Sequence, residues 1–126
     1  MKFPYSGNYQ PAAPILEVTF ISAAENRRVG PLAGIVDSGA DGTLVPLRYL
    51  TAIQAPPTSE MFLRSQWGER RQTWLYLVDV QIGRLIFPGI EVVGDELSDD
   101  LVLGRDVLNR LKIVLDGPQA TIELVS

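Results

Sequence analysis

Residues 36–43 read Val36-Asp37-Ser38-Gly39-Ala40-Asp41-Gly42-Thr43. They follow Leu32-Ala33-Gly34-Ile35-Val36, a continuous apolar run that reads as a strand buried on both faces. Two carboxylates, Asp37 and Asp41, therefore come among small residues directly after a strand. Asp, Ser and Gly form turns readily, and an Asp side chain often accepts from an amide two residues on. The setting makes this turn unusual. Another apolar pair, Leu44-Val45, follows at once, and a carboxylate between buried strands is costly unless it is paired or hydrogen-bonded.

A calcium loop is one reading of the pair. Asp37, Gly39, Asp41 and Gly42 partly fit the first half of an EF-hand loop. The fit fails at the end of the loop, where a bidentate Glu is required and Arg48 stands, and no helices flank it. No metal site is expected.

Composition narrows the chemistry further. A chain of 126 residues fits one domain with a real core. Its net charge of −4 gives no basic field for phosphates, so no nucleic-acid partner is expected. Cysteine and histidine are both absent. That removes disulfides, thiolate and imidazole zinc sites, and every nucleophile activated by histidine. Catalysis, if present, rests on carboxylates, Lys, Tyr or hydroxyls, with no cofactor. No apolar run reaches the ~18 residues of a membrane helix. The opening MKFPYSGNYQPAAP has three prolines and no apolar h-region. A cytoplasmic protein without membrane contact is expected.

Read along the chain, residues 1–13 form an irregular arm rich in Pro, Gly, Ser and Asn, and residues 14–126 form the domain. Ile15-Leu16-Glu17-Val18-Thr19-Phe20-Ile21-Ser22 reads as a strand and Ala23–Pro31 as a turn. Leu47–Ile53 is compatible with a strand or a short helix. Residues 61–83 give two extended arms around a polar centre, Ser65–Gln72, which predicts a long hairpin with an exposed tip. Strand character over residues 85–93 is broken at Pro88-Gly89, and the four acids of Gly94–Asp100 predict a surface loop. A buried triplet Leu101–Leu103 precedes a short helix, Asp106–Lys112, with one apolar stripe. Two last strands, Lys112–Leu115 and Ala120–Val125, flank an Asp-Gly turn. The sum is an all-β domain with one short helix and a protruding hairpin.

Val36-Asp37-Ser38-Gly39-Ala40-Asp41 after an apolar strand resembles the active-site signature of retropepsin-like aspartic proteases. The second signature of that family is an apolar triplet followed by Gly-Arg-Asp at the start of a short helix. Leu101-Val102-Leu103-Gly104-Arg105-Asp106 resembles it, with Gly104 placed 65 positions after Gly39. The hairpin around Trp67-Gly68 falls between the two, where the family has its flap. The resemblance spans residues 14–126, and the strand-turn-strand tail is similar to the cellular and bacterial single-domain members.

The resemblance implies the retropepsin-like fold: a closed, barrel-like β domain with a short C-terminal helix and a β-hairpin flap. It implies an aspartic endopeptidase with Asp37 as the catalytic residue. Ser38 would brace the turn across a dimer axis, Gly39 would give close backbone approach, and Ala40 would belong to the support of the site. Asp41 would pair with Arg105 beside Gly104, while Gln66, Trp67 and Gly68 would contact substrate from the flap. The chemistry needs two carboxylates sharing one proton, since like charges that close cannot both ionise. Asp-Ser-Gly occurs once here. A homodimer is therefore expected, each copy giving one Asp37, with an extended peptide or protein as substrate and an acidic to near-neutral optimum. Ala120–Val125 is expected in an intersubunit sheet. The rival readings are a retropepsin-like dimerisation or peptide-binding module without useful catalysis, and a processing domain cut from a longer precursor.

Overall fold

A computed structural model describes residues 1–64 and 67–125. Strand β2, Ile15–Ser22, turns Leu16, Val18, Phe20 and Ser22 inward with the alternation its sequence predicts. A tight turn, closed by the Asn26 amide on the Ala23 carbonyl at 3.2 Å, returns the chain into β3, Arg27–Val36. Strand β3 thus begins earlier than its apolar run. Arg27 and Arg28 pair with Ser22 and Ile21, so residues expected in a turn extend the ladder. Strand β3 is also less buried than expected, with Ile35 and Val36 only half covered.

After the 37–43 turn, β4 (Leu44–Pro46) runs into helix α1, Leu47–Ala52. This settles the ambiguous segment as a helix and adds a second helix to the one expected. Pro46 starts it, where a missing amide costs nothing, and Leu50 is its buried residue. Strands β5 (Pro57–Arg64) and β6 (Arg70–Ile82) form the long hairpin. Strand β7 is continuous over Leu85–Asp95. The predicted break at Pro88-Gly89 is a bulge instead: the ladder shifts between Val78 and Val80, and the Gly89 amide donates to Asp79 at 3.0 Å. Strand β7 also takes in Gly94 and Asp95, which are buried rather than part of a surface loop.

Strand β8 (Leu101–Leu103) enters between β3 and β4, parallel to β3 and antiparallel to β4. The short helix α2, Arg105–Leu108, follows. The order β2-β3-β8-β4-β7-β6 closes through β2–β6 pairing, and β5 hangs from the outer side of β6. Inside the barrel lie Leu16, Val18, Phe20, Val45, Val80, Val92 and Leu103. Gly34 leaves room for the Leu103 side chain of β8: a Cβ there would meet Leu103 Cγ at 2.8 Å.

A second sheet caps the barrel with the order β1-β10-β9, from Lys2–Pro4, Thr121–Val125 and Lys112–Asp116. The N-terminal residues are therefore not wholly irregular. Prolines mask the signal in sequence, while pairing with β10 supplies the order, with Phe3 opposite Ile122. Strand β10 is central, with β1 on one edge and β9 on the other. Both edges of β10 are thus paired within the chain, and a sheet shared with a second chain would extend from β1 or β9. Among the described residues, no helix is long and apolar enough to cross a membrane.

Candidate active site

The insertion of β8 between β3 and β4 brings the two signature motifs together. Strand β3 delivers Asp37 at its end, and the Asp37 amide donates to the Leu103 carbonyl at 3.1 Å. The turn closes on itself through the Ala40 amide on the Asp37 carbonyl, 3.1 Å. The Gly39 amide donates to Asp37 Oδ1 at 2.9 Å, fixing the carboxylate. Asp37, Ser38 and Gly39 are all exposed in the single chain. The desolvation cost that the sequence reading attached to Asp37 is therefore not incurred here. The carboxylate ends a strand at an open surface.

The 104–106 segment braces this turn from behind. Arg105 donates through Nη1 to the Ser38 carbonyl at 2.8 Å and through Nη2 to Asp41 Oδ1. One guanidinium thus holds both ends of the Ser38–Asp41 loop, which its planar fork suits. The Arg105 amide donates to the Ala40 carbonyl at 2.9 Å. Gly104 has no room for a side chain: a Cβ would lie 2.5 Å from the Gly42 carbonyl carbon and oxygen. Both partners of the Arg105–Asp41 pair are exposed. Its contribution is position more than stability.

A pair that the sequence reading missed lies beneath, Thr43 buried and Asp106 half-buried. Thr43 is fully buried. Its hydroxyl donates to Asp106 Oδ1 at 2.7 Å and accepts from the Gly104 amide at 3.1 Å. Its amide donates to Asp106 Oδ2 at 3.1 Å, and the Val107 amide donates to Oδ1 at 2.8 Å. Both oxygens of Asp106 are satisfied, as a covered carboxylate requires. The sequence signal was present: Thr43 closes the first motif and Asp106 the second.

The floor made by Gly39, Ala40, Asp41 and Gly42 faces the β5 arm of the hairpin across an open cleft of about 650 Å³. Its apolar lining includes Leu44, Met61, Leu63, Leu75 and Val93. The sequence offers no local mark for these residues, because only the topology brings them together. Trp67 and Gly68 lie at the hairpin tip, Trp67 80% exposed and Gly68 at φ +83°. Gln66, expected as a substrate contact, lies outside the described residues. At the hairpin's inner side Arg71 Nη2 lies 3.3 Å from Asp95 Oδ1, and the Leu97 amide donates to the same oxygen at 3.0 Å. This explains how Asp95 is buried.

Two further polar contacts lie outside the cleft. The Tyr9 hydroxyl donates to Asp100 Oδ1 at 2.9 Å, tying the N-terminal arm to the loop before β8. That bond, helped by burial, raises the Tyr9 phenol above its usual range. Arg48 is raised by the Tyr49 hydroxyl and then by Asp99. Among the described residues, no group of three or more acids is placed to hold a metal.

No family model matches the sequence. No curated protein matches it either. Solved structures do match. A retropepsin-like aspartic protease from Rickettsia conorii superposes with a TM-score of 0.63 at 15% identity, covering 100% of this chain and 92% of that one. The EIAV protease, complexed with an inhibitor, superposes with a TM-score of 0.58 at 16% identity, covering 78% of this chain and 86% of that one. The chain therefore has the retropepsin-like fold.

Proposed function

We propose that the protein is an aspartic endopeptidase whose catalytic pair is two Asp37 carboxylates, one from each copy of a homodimer. The observation that carries this reading is Asp37 itself. It stands exposed at a strand end, oriented by the Gly39 amide and backed by the Arg105–Asp41 brace, beside an apolar cleft under a hairpin. The Gly39 bond alone is that of an ordinary Asp turn; what supports the reading is that Asp37 stands where the two motifs meet, beside the cleft. The fold supports the same reading, since one structure that it resembles is a retropepsin-like aspartic protease and another is the EIAV protease.

One Asp37 cannot do the chemistry alone. The mechanism needs an ionised carboxylate to take a proton from water and a protonated one to polarise the scissile carbonyl. Asp41 is engaged by Arg105, and Asp-Ser-Gly occurs once. A two-fold axis through the open turn supplies the second carboxylate from an identical residue. The water attacks the carbonyl carbon, the Asp37 of one copy takes its proton, and the other Asp37 donates to the carbonyl oxygen. Collapse of the tetrahedral intermediate breaks the C–N bond, with the proton delivered to the leaving amine.

The substrate is an extended peptide segment. The cleft lies between the Gly39–Gly42 backbone and edge strand β5, which among the described residues has no strand on its outer side. Leu44, Met61, Leu63 and Val93 favour apolar side chains flanking the cut. Cleavage of a peptide library by wild type and by Asp37→Ala, across pH and with a pepstatin-type inhibitor, tests the assignment. Wild-type cleavage blocked by the inhibitor and abolished by Asp37→Ala is expected. Cleavage that survives Asp37→Ala overturns it.

A further inference from the structure

The open end of the hairpin carries a concentration of positive charge that the catalytic reading does not use. Arg64 ends β5, and Arg70 and Arg71 begin β6. The register places Arg64 directly opposite Arg70, so both side chains leave the same face of the hairpin. Like charges directly opposite one another destabilise a strand pair. In a chain of net charge −4 this arrangement stands out.

The three arginines are not equivalent. Arg71 points to the other face and is taken up by Asp95 at 3.3 Å. The Arg70 guanidinium lies over the Phe62 ring, 4.6 Å from its centroid, which fixes its plane while leaving its edge for hydrogen bonding. Among the described ion pairs, neither Arg64 nor Arg70 takes part. Both are exposed. Arg64 lines two cavities at once. One is the cleft over Gly39–Gly42; the other, of about 500 Å³, is bounded by Leu44, Leu63, Glu69, Arg70, Arg71 and Leu97. Arg64 and Arg70 stand on the face opposite Met61 and Leu63, so a peptide paired along the outer edge of β5 turns alternate side chains toward the cleft and toward Arg64.

We propose that Arg64 and Arg70 form an anion-recognition subsite that selects peptide substrates bearing an acidic side chain several residues from the apolar pair at the cut. This rests on the protease reading for the word substrate. The recognition itself needs only the cleft and the two guanidiniums. A carboxylate placed between them relieves the cross-strand repulsion and accepts charge-assisted bonds from planar donors.

The test reads binding apart from cleavage. Two fluorescent peptide pools share an apolar centre, one with Asp and Glu at the flanking positions and the other with Asn and Gln. Their affinities are measured by anisotropy on the Asp37→Asn protein, with and without Arg64→Gln/Arg70→Gln. Charge-assisted bonds of this kind predict about tenfold tighter binding of the acidic pool. The preference should shrink in high salt and fall to within about twofold in the double Gln variant. Arg64→Lys/Arg70→Lys, keeping charge but losing the fork, should retain part of it. Equal binding of the two pools, or an acidic preference that survives the double Gln variant, overturns the subsite. Cleavage of the same pools by the protein with Asp37 intact is scored separately. Absence of cleavage with the acidic preference present sinks the protease reading alone, and cleavage without the preference sinks the subsite alone.

Discussion

The Thr43 hydroxyl donates to Asp106 Oδ1 at 2.7 Å across 63 residues of sequence, and the Thr43 amide donates to Oδ2 at 3.1 Å. The same hydroxyl accepts from the buried Gly104 amide. Through these bonds the two halves of the site become one unit. Thr43→Val keeps the volume and removes the hydroxyl, leaving the buried Gly104 amide unsatisfied, while Asp106 Oδ1 keeps its bond from the Val107 amide. Orphaning a buried group of this kind costs about 1–3 kcal/mol. Denaturant titration should show a loss of that order for Thr43→Val and a much smaller one for Thr43→Ser.

Two glycines of the site should respond oppositely to alanine. At Gly104 a Cβ would sit 2.5 Å from Gly42 backbone atoms, which cannot move without displacing the turn, whereas at Gly42 the nearest atoms are 3.9 and 4.0 Å away. Overpacking against backbone predicts a loss of about 1–3 kcal/mol or more for Gly104→Ala. Gly42→Ala should stay close to wild type. Thermal melts of the two variants side by side check this contrast.

The Arg105–Asp41 pair is exposed, with side-chain accessibilities of 44% and 94%. An exposed pair contributes about 0–1 kcal/mol. Arg105→Gln should therefore lower the melting temperature little. It also removes the Nη1 bond to the Ser38 carbonyl, which sets the turn. Peptidase activity should fall by at least about tenfold, since small misplacements of reacting groups are costly. The pair of measurements separates positioning from stability.

Tyr9 carries a pH dependence whose sign follows from its raised phenol. A raised value in the folded protein stabilises the neutral form. The tie to Asp100 is thus fully present below the usual phenol range near 10 and is lost as pH climbs through the folded value. The contact is mostly solvated, so its weight is small. Limited proteolysis of residues 5–13 should be slow at neutral pH, faster in strongly alkaline buffer, and equally fast at neutral pH in Tyr9→Phe.

Much of this was legible in the residues. Strand β2 follows from the alternation of Ile15–Ser22, and both signature motifs lie where the site forms. The rest depended on partners that no local window contains. Arg27 and Arg28 are polar turn formers by composition, yet the ladder with Ile21 and Ser22 claims them. Asp95 looks like one more acid in a surface loop until Arg71 arrives from the neighbouring strand. Lys2–Pro4 is proline-marked and ordered because β10 lies alongside. The apolar cleft lining is scattered over four strands and gathers only when the barrel closes.

The shared pair of Asp37 carboxylates is the centre of the account, and mixing tests it most directly. Wild type and Asp37→Asn protein are combined at constant total concentration, allowed to exchange subunits, and assayed for peptide cleavage. With one carboxylate from each copy, an equal mixture leaves about one quarter of the assemblies with both, so activity should fall to about one quarter of wild type. Activity that falls only to one half, in proportion to the wild-type protein present, would contradict a site shared between two chains.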